Sequence, residues 1–94
     1  MDRRIKPNKY NLNWSFKINC DRLLHLMDRL KYTNKIDENI KFTYNNIKSS
    51  AFTIKLPCNN KKINIIIVSS GKIAIYYMEE NEKDFAFEFI NNLL

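Results

Sequence analysis

The 94-residue sequence contains few of the residues that interrupt or cross-link a chain: one glycine, two prolines, two cysteines and one histidine. Two cysteines and one histidine are too few for a disulfide framework or a structural zinc site, so we expect reduced thiols and no metal. The longest aliphatic run covers residues 65–68, far below the roughly 20 apolar residues of a membrane span, and the N-terminus has no apolar signal region. We therefore expect a soluble intracellular protein, nuclear or cytoplasmic.

A catalytic constellation is also missing. His25 lies among leucines and has no carboxylate or cysteine at ligand spacing, which favours a structural role. No acid/base pair is expected among the carboxylates of Asp28, Asp37 and Glu38, because the sequence places neither an apolar pocket nor a second polar group beside them. We therefore expect no enzyme, no catalytic residue and no cofactor.

Positive charge, in contrast, is abundant and unevenly placed. The formal net charge is +6, and residues 1–77 hold 15 of the 16 basic side chains but only five of the ten acidic ones. A basic body with an acidic last segment indicates an anionic partner on one side of the molecule. The alternative is a solvated surface in a chain whose Lys, Asn and Ile content is typical of an A+T-rich genome, viral or cellular.

Apolar periodicity divides the chain into seven elements that follow a basic, flexible arm of residues 1–12. Strict alternation predicts strands at residues 13–19, 40–44, 50–56, 62–68 and 73–77. Helical spacing predicts one helix over residues 22–31, capped by Asp21, and a second helix capped by Asn81. The core side of the second helix is expected to hold Phe85, Ala86, Phe89, Ile90, Leu93 and Leu94.

Two connections complete the pattern. Residues 57–62 are polar and are predicted to link the third and fourth strands. Gly71 takes positive φ without steric cost, so residues 69–72 are predicted to form the turn of a hairpin between the last two strands.

The order β-α-β-β-β-β-α predicts an α+β fold with a single domain over residues 13–94. It would be a five-stranded antiparallel curved sheet with two helices on one face, and the other face would stay open. The open face is expected to present Asn13, Ser15, Lys17, Thr43, Ala51, Thr53, Lys55, Asn64, Ile66, Val68, Ala74 and Tyr76. An exposed apolar cluster such as Ile66, Val68 and Tyr76 usually marks a contact surface.

The predicted hairpin carries the most specific motif of the chain. Residues 66–73 read Ile-Ile-Val-Ser-Ser-Gly-Lys-Ile, residues 44–48 read Tyr-Asn-Asn-Ile-Lys, and Asn13 begins the first predicted strand. These segments and the element order resemble one repeat of the TATA-box-binding protein family, over nearly all of residues 13–94. The resemblance implies half of a saddle whose concave sheet grips the minor groove of DNA, with Asn13 at a groove-reading position.

DNA contacts are then expected from eight residues: Asn13, Lys17, Thr53, Lys55, Asn64, Val68, Lys72 and Tyr76. The lysines would contact phosphates, and the asparagines would read the acceptors of A·T pairs. Family repeats wedge two Phe side chains into base steps, whereas this chain has Ser49 and Val68 at the matching positions, and Tyr76 replaces a small groove-facing residue. We therefore expect weak, A·T-preferring binding with little bending.

A lone repeat also implies an unpaired first strand, because in the saddle the first strands of the two repeats meet at the centre. We expect this strand to pair with a second copy or with another protein through Ser15, Phe16, Lys17 and Ile18. Two functions stay open. The first is a transcription-initiation module that binds A·T-rich DNA, as a dimer or within a complex. The second is a protein-interaction module of the same fold, a subunit or adaptor of a transcription or replication assembly. Neither involves a membrane or a small-molecule substrate.

Overall fold

The computed structural model describes residues 8–13, 17–45, 51–58 and 61–93. Its elements are β1 (Asn8–Asn13), α1 (Cys20–Tyr32), β2 (Lys41–Asn45), β3 (Ala51–Cys58), β4 (Lys61–Val68), β5 (Lys72–Tyr77) and α2 (Glu80–Leu93). The strands form one sheet in the order β1-β5-β4-β3-β2, and every neighbouring pair is antiparallel. The predicted α+β class, with a five-stranded antiparallel sheet and two helices, is confirmed.

The core lies between one face of the sheet and the two helices. Alternate residues of β4 and β5 point into it, and Ile65, Ile67 and Ile75 have no exposed surface. Met27 of α1 and Ile90 of α2 are equally buried and belong to the same apolar cluster. Both helices therefore pack on one face of the sheet, because the strand periodicity sends every second side chain to the same side.

The hairpin between β4 and β5 forms as predicted. Gly71 has φ 103°, and its N–H donates to the carbonyl of Val68 at 2.9 Å. The ladder continues immediately beyond the turn, where Ile67 pairs with Ile73. The single glycine thus stands at the turn position that requires a left-handed backbone.

The first strand differs from the prediction. It covers Asn8–Asn13 instead of 13–19, so residues 8–12 belong to the sheet and not to the arm. Pairing with β5, from Asn8 opposite Tyr77 to Asn13 opposite Lys72, satisfies the backbone groups of this polar segment that face β5. The remaining arm residues 1–7 and the predicted strand residues 14–16 lie outside the described residues.

After this gap the chain no longer runs as a strand. Residues 17–19 have no regular structure, and the N–H of Ile18 donates to the carbonyl of Ser69 at 2.9 Å. Ile18 is 6% exposed, so it belongs to the core and not to the predicted pairing edge. Lys17 likewise stands outside the sheet. Of the four predicted interface residues, Ser15 and Phe16 lie outside the described part of the chain.

Both helices begin earlier than predicted. Asn19, not Asp21, is the N-cap of α1, and its side-chain oxygen accepts from the N–H of Arg22 at 3.1 Å. Asp21 instead lies in the first turn. Helix α2 starts at Glu80, which places Asn81 inside the helix. Asn19 and Asp21 are both good capping residues, and the path of the incoming chain decides which one caps α1.

The buried side of α2 is also shifted from the predicted one. Ala86 and Ile90 are fully buried and Phe89 is half-buried, but Phe85 keeps 46% of its surface exposed. Phe85 is therefore not the core residue that was predicted, because the helix turns Glu82, and not Phe85, toward the sheet. Leu94 lies outside the described residues.

The connection between β3 and β4 is shorter than predicted. Pro57 pairs with Lys62 and Cys58 with Lys61, so most of residues 57–62 belongs to the ladder. Pro57 has no backbone N–H to donate to the ladder, and it is tolerated because it lies close to the end of its strand. The pairing makes β3 and β4, with eight residues each, the longest strands of the sheet.

Candidate functional site

The face of the sheet opposite the helices is the candidate site, and we call it the open face. Antiparallel register brings its residues into rows that cross all five strands. One row joins Asn11, Ala74, Ile66, Thr53 and Thr43. The next row joins Lys9, Tyr76, Asn64, Lys55 and Lys41, and we call it the lysine row.

Charge distinguishes the open face from the rest of the molecule. The five described strands contain six lysines and no aspartate or glutamate. Five of these lysines occupy open-face positions, and all five are exposed: Lys9, Lys41, Lys55, Lys62 and Lys72. The acidic residues of the described chain lie instead in the helices and connections, so the open face is a surface of one sign.

A groove of about 590 Å³ runs along β1, β5 and β4 on this face. Its lining is Lys9, Asn11, Leu12, Asn13, Ile66, Val68, Lys72, Ile73, Ala74 and Tyr76. Ala74 stands between Lys72 and Tyr76 along β5, and its single methyl group leaves room between these two long side chains. The groove therefore combines an apolar floor with lysine and asparagine groups at its rim.

Tyr76 is the aromatic residue of this groove. It is half-buried, and the Nζ atom of Lys9 lies 5.7 Å from the centroid of its ring. Asn64 is its cross-strand neighbour on the other side. A lysine ammonium at this distance from an aromatic face is attracted by the ring quadrupole, which orients both groups.

Seven of the eight predicted DNA-contact residues come together on the open face: Asn13, Thr53, Lys55, Asn64, Val68, Lys72 and Tyr76. Lys17 does not, because it follows β1 and lies near α1. The sequence analysis missed Lys9, Asn11, Lys41, Asn45 and Lys62, which share the face. Lys9, Asn11 and Asn13 alternate with Tyr10 and Leu12, and this alternation could have indicated that Lys9 and Asn11 lie on a strand.

Lys17 lines a second cavity, of about 580 Å³, beside α1. The other lining residues are Ile18, Asn19, Arg22, Leu23, His25, Leu26, Arg29 and Leu93. His25 is exposed here and stands next to basic residues of the same helix. The cavity has no serine, threonine, cysteine or carboxylate among these residues and lies on the side of the helices, away from the open face.

Metal-ligating side chains are scattered in the part of the chain that the structure describes. No group of three His, Cys, Asp or Glu side chains within the described ranges could hold a metal ion. Both cysteines are reduced. Burial, and to a lesser extent the charge of Asp21, raises the pKa of the Cys20 thiol, which keeps it protonated and unreactive.

Comparison with known protein families, with curated proteins and with solved structures gives no significant match. Neither helix that the structure describes is long and apolar enough to cross a membrane.

Proposed function

We propose that the protein is a DNA-binding module of transcription that contacts A·T-rich DNA weakly through the open face. The observation that carries the proposal is the concentration of five exposed lysines on that face, with no acidic residue in the five described strands. Lysine ammonium groups that meet phosphates release condensed counterions, which gives affinity for any duplex. Nothing in the open face repels a polyanion.

The fold adds support to the resemblance with a repeat of the TATA-box-binding protein family. The element order β-α-β-β-β-β-α is that of such a repeat, and the strand order leaves β1 at an edge of the sheet. In the family's saddle the first strand lies at the junction of two repeats. We propose that a second copy or another protein extends the sheet at β1.

Base preference would come from the amide groups of the open face. Asn11 and Asn13 are exposed on β1, and Asn64 is exposed on β4. An amide N–H donates to the minor-groove acceptors that A·T pairs present. Val68, at one of the family's wedging positions, is too short to open a base step, so the duplex should stay nearly straight.

A second candidate function is a protein-interaction module within a transcription or replication assembly. The observation in its favour is the apolar floor of the groove, to which Ile66, Val68 and Ala74 contribute. A contiguous apolar surface on an otherwise polar, solvent-exposed face is typical of a protein contact.

A salt titration of binding to an A·T-rich duplex tests the first function against the second. For the wild-type protein, log K should fall steeply and linearly with log salt concentration. Lys55→Ala and Lys41→Ala should each lower the slope by about 1 and weaken binding equally for all sequences. Lys35→Ala, an exposed lysine outside the sheet, is the matched control and should change neither quantity.

Two outcomes would count against DNA. A slope near zero would remove the phosphate contacts on which the proposal depends. Equal effects of Lys35→Ala and Lys55→Ala would mean that net charge, and not the open face, attracts the duplex.

A further inference from the structure

We propose that the open face prefers single-stranded nucleic acid to a duplex, and that one base stacks on Tyr76 within the groove. This inference rests on the proposed function, because the same lysines neutralise phosphates in both cases. It goes beyond that function by naming the form of nucleic acid and the residue that selects it.

The first argument is the shape of the groove. Its volume of about 590 Å³ is that of a small-molecule pocket, which suits one or two unstacked bases. Tyr76 follows Ala74 on the same face of β5, at the end of the groove where Lys9 lies. A duplex keeps its bases stacked inside, so the ring would meet the sugar-phosphate walls of a minor groove about 6 Å wide. A single strand can turn a base outward and meet the ring face to face.

The second argument is the environment of the ring. Tyr76 is flanked across the strands by Lys9 on one side and Asn64 on the other, and the Lys9 ammonium lies over the ring. An aromatic residue on an open sheet with lysines around it is the arrangement that sheet-based single-strand binders use. When a base takes the place of the Lys9 ammonium over the ring, the long Lys9 side chain is released to contact the adjoining phosphate.

The third argument is the path of the backbone. The lysine row runs from Lys9 through Tyr76 and Asn64 to Lys55 and Lys41, across all five strands. At a strand spacing of about 4.8 Å the row extends over roughly 19 Å, enough for several nucleotides. A single strand whose base stacks on Tyr76 therefore has exposed ammonium groups on both sides. Lys9 lies on one side, and Lys55 and Lys41 lie beyond Asn64 on the other.

The test compares three probes: an oligo(dT), an oligo(rU) of the same length, and the duplex of that oligo(dT) with oligo(dA). We expect the wild-type protein to bind at least one single strand about tenfold more tightly than the duplex at the same salt concentration. The ratio of the two single-strand affinities shows whether the DNA strand or the RNA strand is preferred. Binding of either strand in this way supports the inference.

Three variants make the test specific to stacking. Tyr76→Leu keeps apolar bulk but removes the π face, and it should weaken single-strand binding about tenfold and duplex binding much less, so that the preference for the single strand is lost. Tyr76→Phe keeps the ring and should bind like wild type, which shows that the fold tolerates change at this position. Tyr32→Ala removes a tyrosine that is 89% exposed on α1, and it should have no effect.

The failures of the two proposals are distinguishable. Equal affinity for duplex and single strand, with no effect of Tyr76→Leu, would overturn the stacking inference and leave salt-dependent DNA binding intact. Absence of salt-dependent binding to all three probes would overturn both proposals.

Discussion

At the scale of single residues, Glu82 is the least ordinary side chain of the described structure. It is 3% exposed, and its Oε1 atom accepts hydrogen bonds from the N–H groups of Met78 at 2.9 Å and Glu79 at 3.3 Å. These donors stand at the start of α2, where a helix has no acceptors of its own for the first N–H groups. Glu82 therefore fixes the entry of the chain into α2.

Replacing Glu82 by alanine should lower the free energy of unfolding by about 1–3 kcal/mol, because two backbone donors lose a charged acceptor in a buried place. Urea denaturation measures the change. Glu82→Gln keeps an acceptor oxygen and should lose less. Glu88→Ala, on the exposed side of the same helix, should stay within about 0.5 kcal/mol of wild type. Equal losses at Glu82 and Glu88 would exclude a capping role.

At the scale of elements, the orientation of α2 shows which side of an amphipathic helix becomes buried. The buried positions are Glu82, Ala86 and Ile90, spaced by four residues, whereas Phe85 and Phe87 are 46% and 40% exposed. Two large aromatic residues thus remain at the surface while a methyl group and a carboxylate pack inside. The small Ala86 side chain lets the helix approach the sheet closely, and the larger Phe85 would hold it away.

Ile90→Ala should therefore lower the free energy of unfolding by about 2–5 kcal/mol, because Ile90 has no exposed surface and its truncation would leave a cavity. That is a large share of the total stability of a small domain. Phe85→Ala should cost under about 1 kcal/mol, although it removes more atoms. Phe89→Ala should fall between them. If Phe85→Ala proved as harmful as Ile90→Ala in thermal unfolding, the observed orientation of α2 would be wrong.

The elements also show which parts of the fold could be predicted from the sequence. Strict alternation identified β4 and β5, and the only glycine identified their turn, because these signals are local. The position of β1 could not be predicted, since 14–18 alternates with larger apolar residues than 8–13 does. Pairing with β5, which lies far along the chain, decides between the two segments. The alternation of apolar and polar residues predicted most of the candidate site. It did not predict Lys9 and Asn11, because the first strand was expected at residues 13–19.

At the scale of the whole molecule, the sheet has two edge strands, β1 and β2. An edge strand leaves a row of N–H and C=O groups that another strand can pair with. We expect the protein to dimerise in the micromolar range through β1, which would join two open faces into one larger surface. An isologous contact of this kind places the middle of β1 against itself.

Asn11→Lys should weaken this dimer by about 1 kcal/mol, because two like charges then face each other near the centre of the joined strands. Sedimentation equilibrium measures the dissociation constant. Asn91→Lys, an equal charge change on an exposed position of α2, is the control and should leave the dimer unchanged. A wild-type monomer throughout the micromolar range, with no partner co-purifying from the native source, would contradict pairing at β1.

The connectivity of the sheet has a kinetic consequence. Strands β2 to β5 form a meander in which each ladder joins consecutive strands, whereas β1 pairs with β5 at the other end of the chain. Closing that long loop has a high entropic cost, so the β1 ladder should form last during folding and open first during local fluctuations. Each opening removes Lys9, Asn11 and Asn13 from the groove. The complete groove thus exists only in the fully folded state, and a ligand in it would slow the detachment of β1.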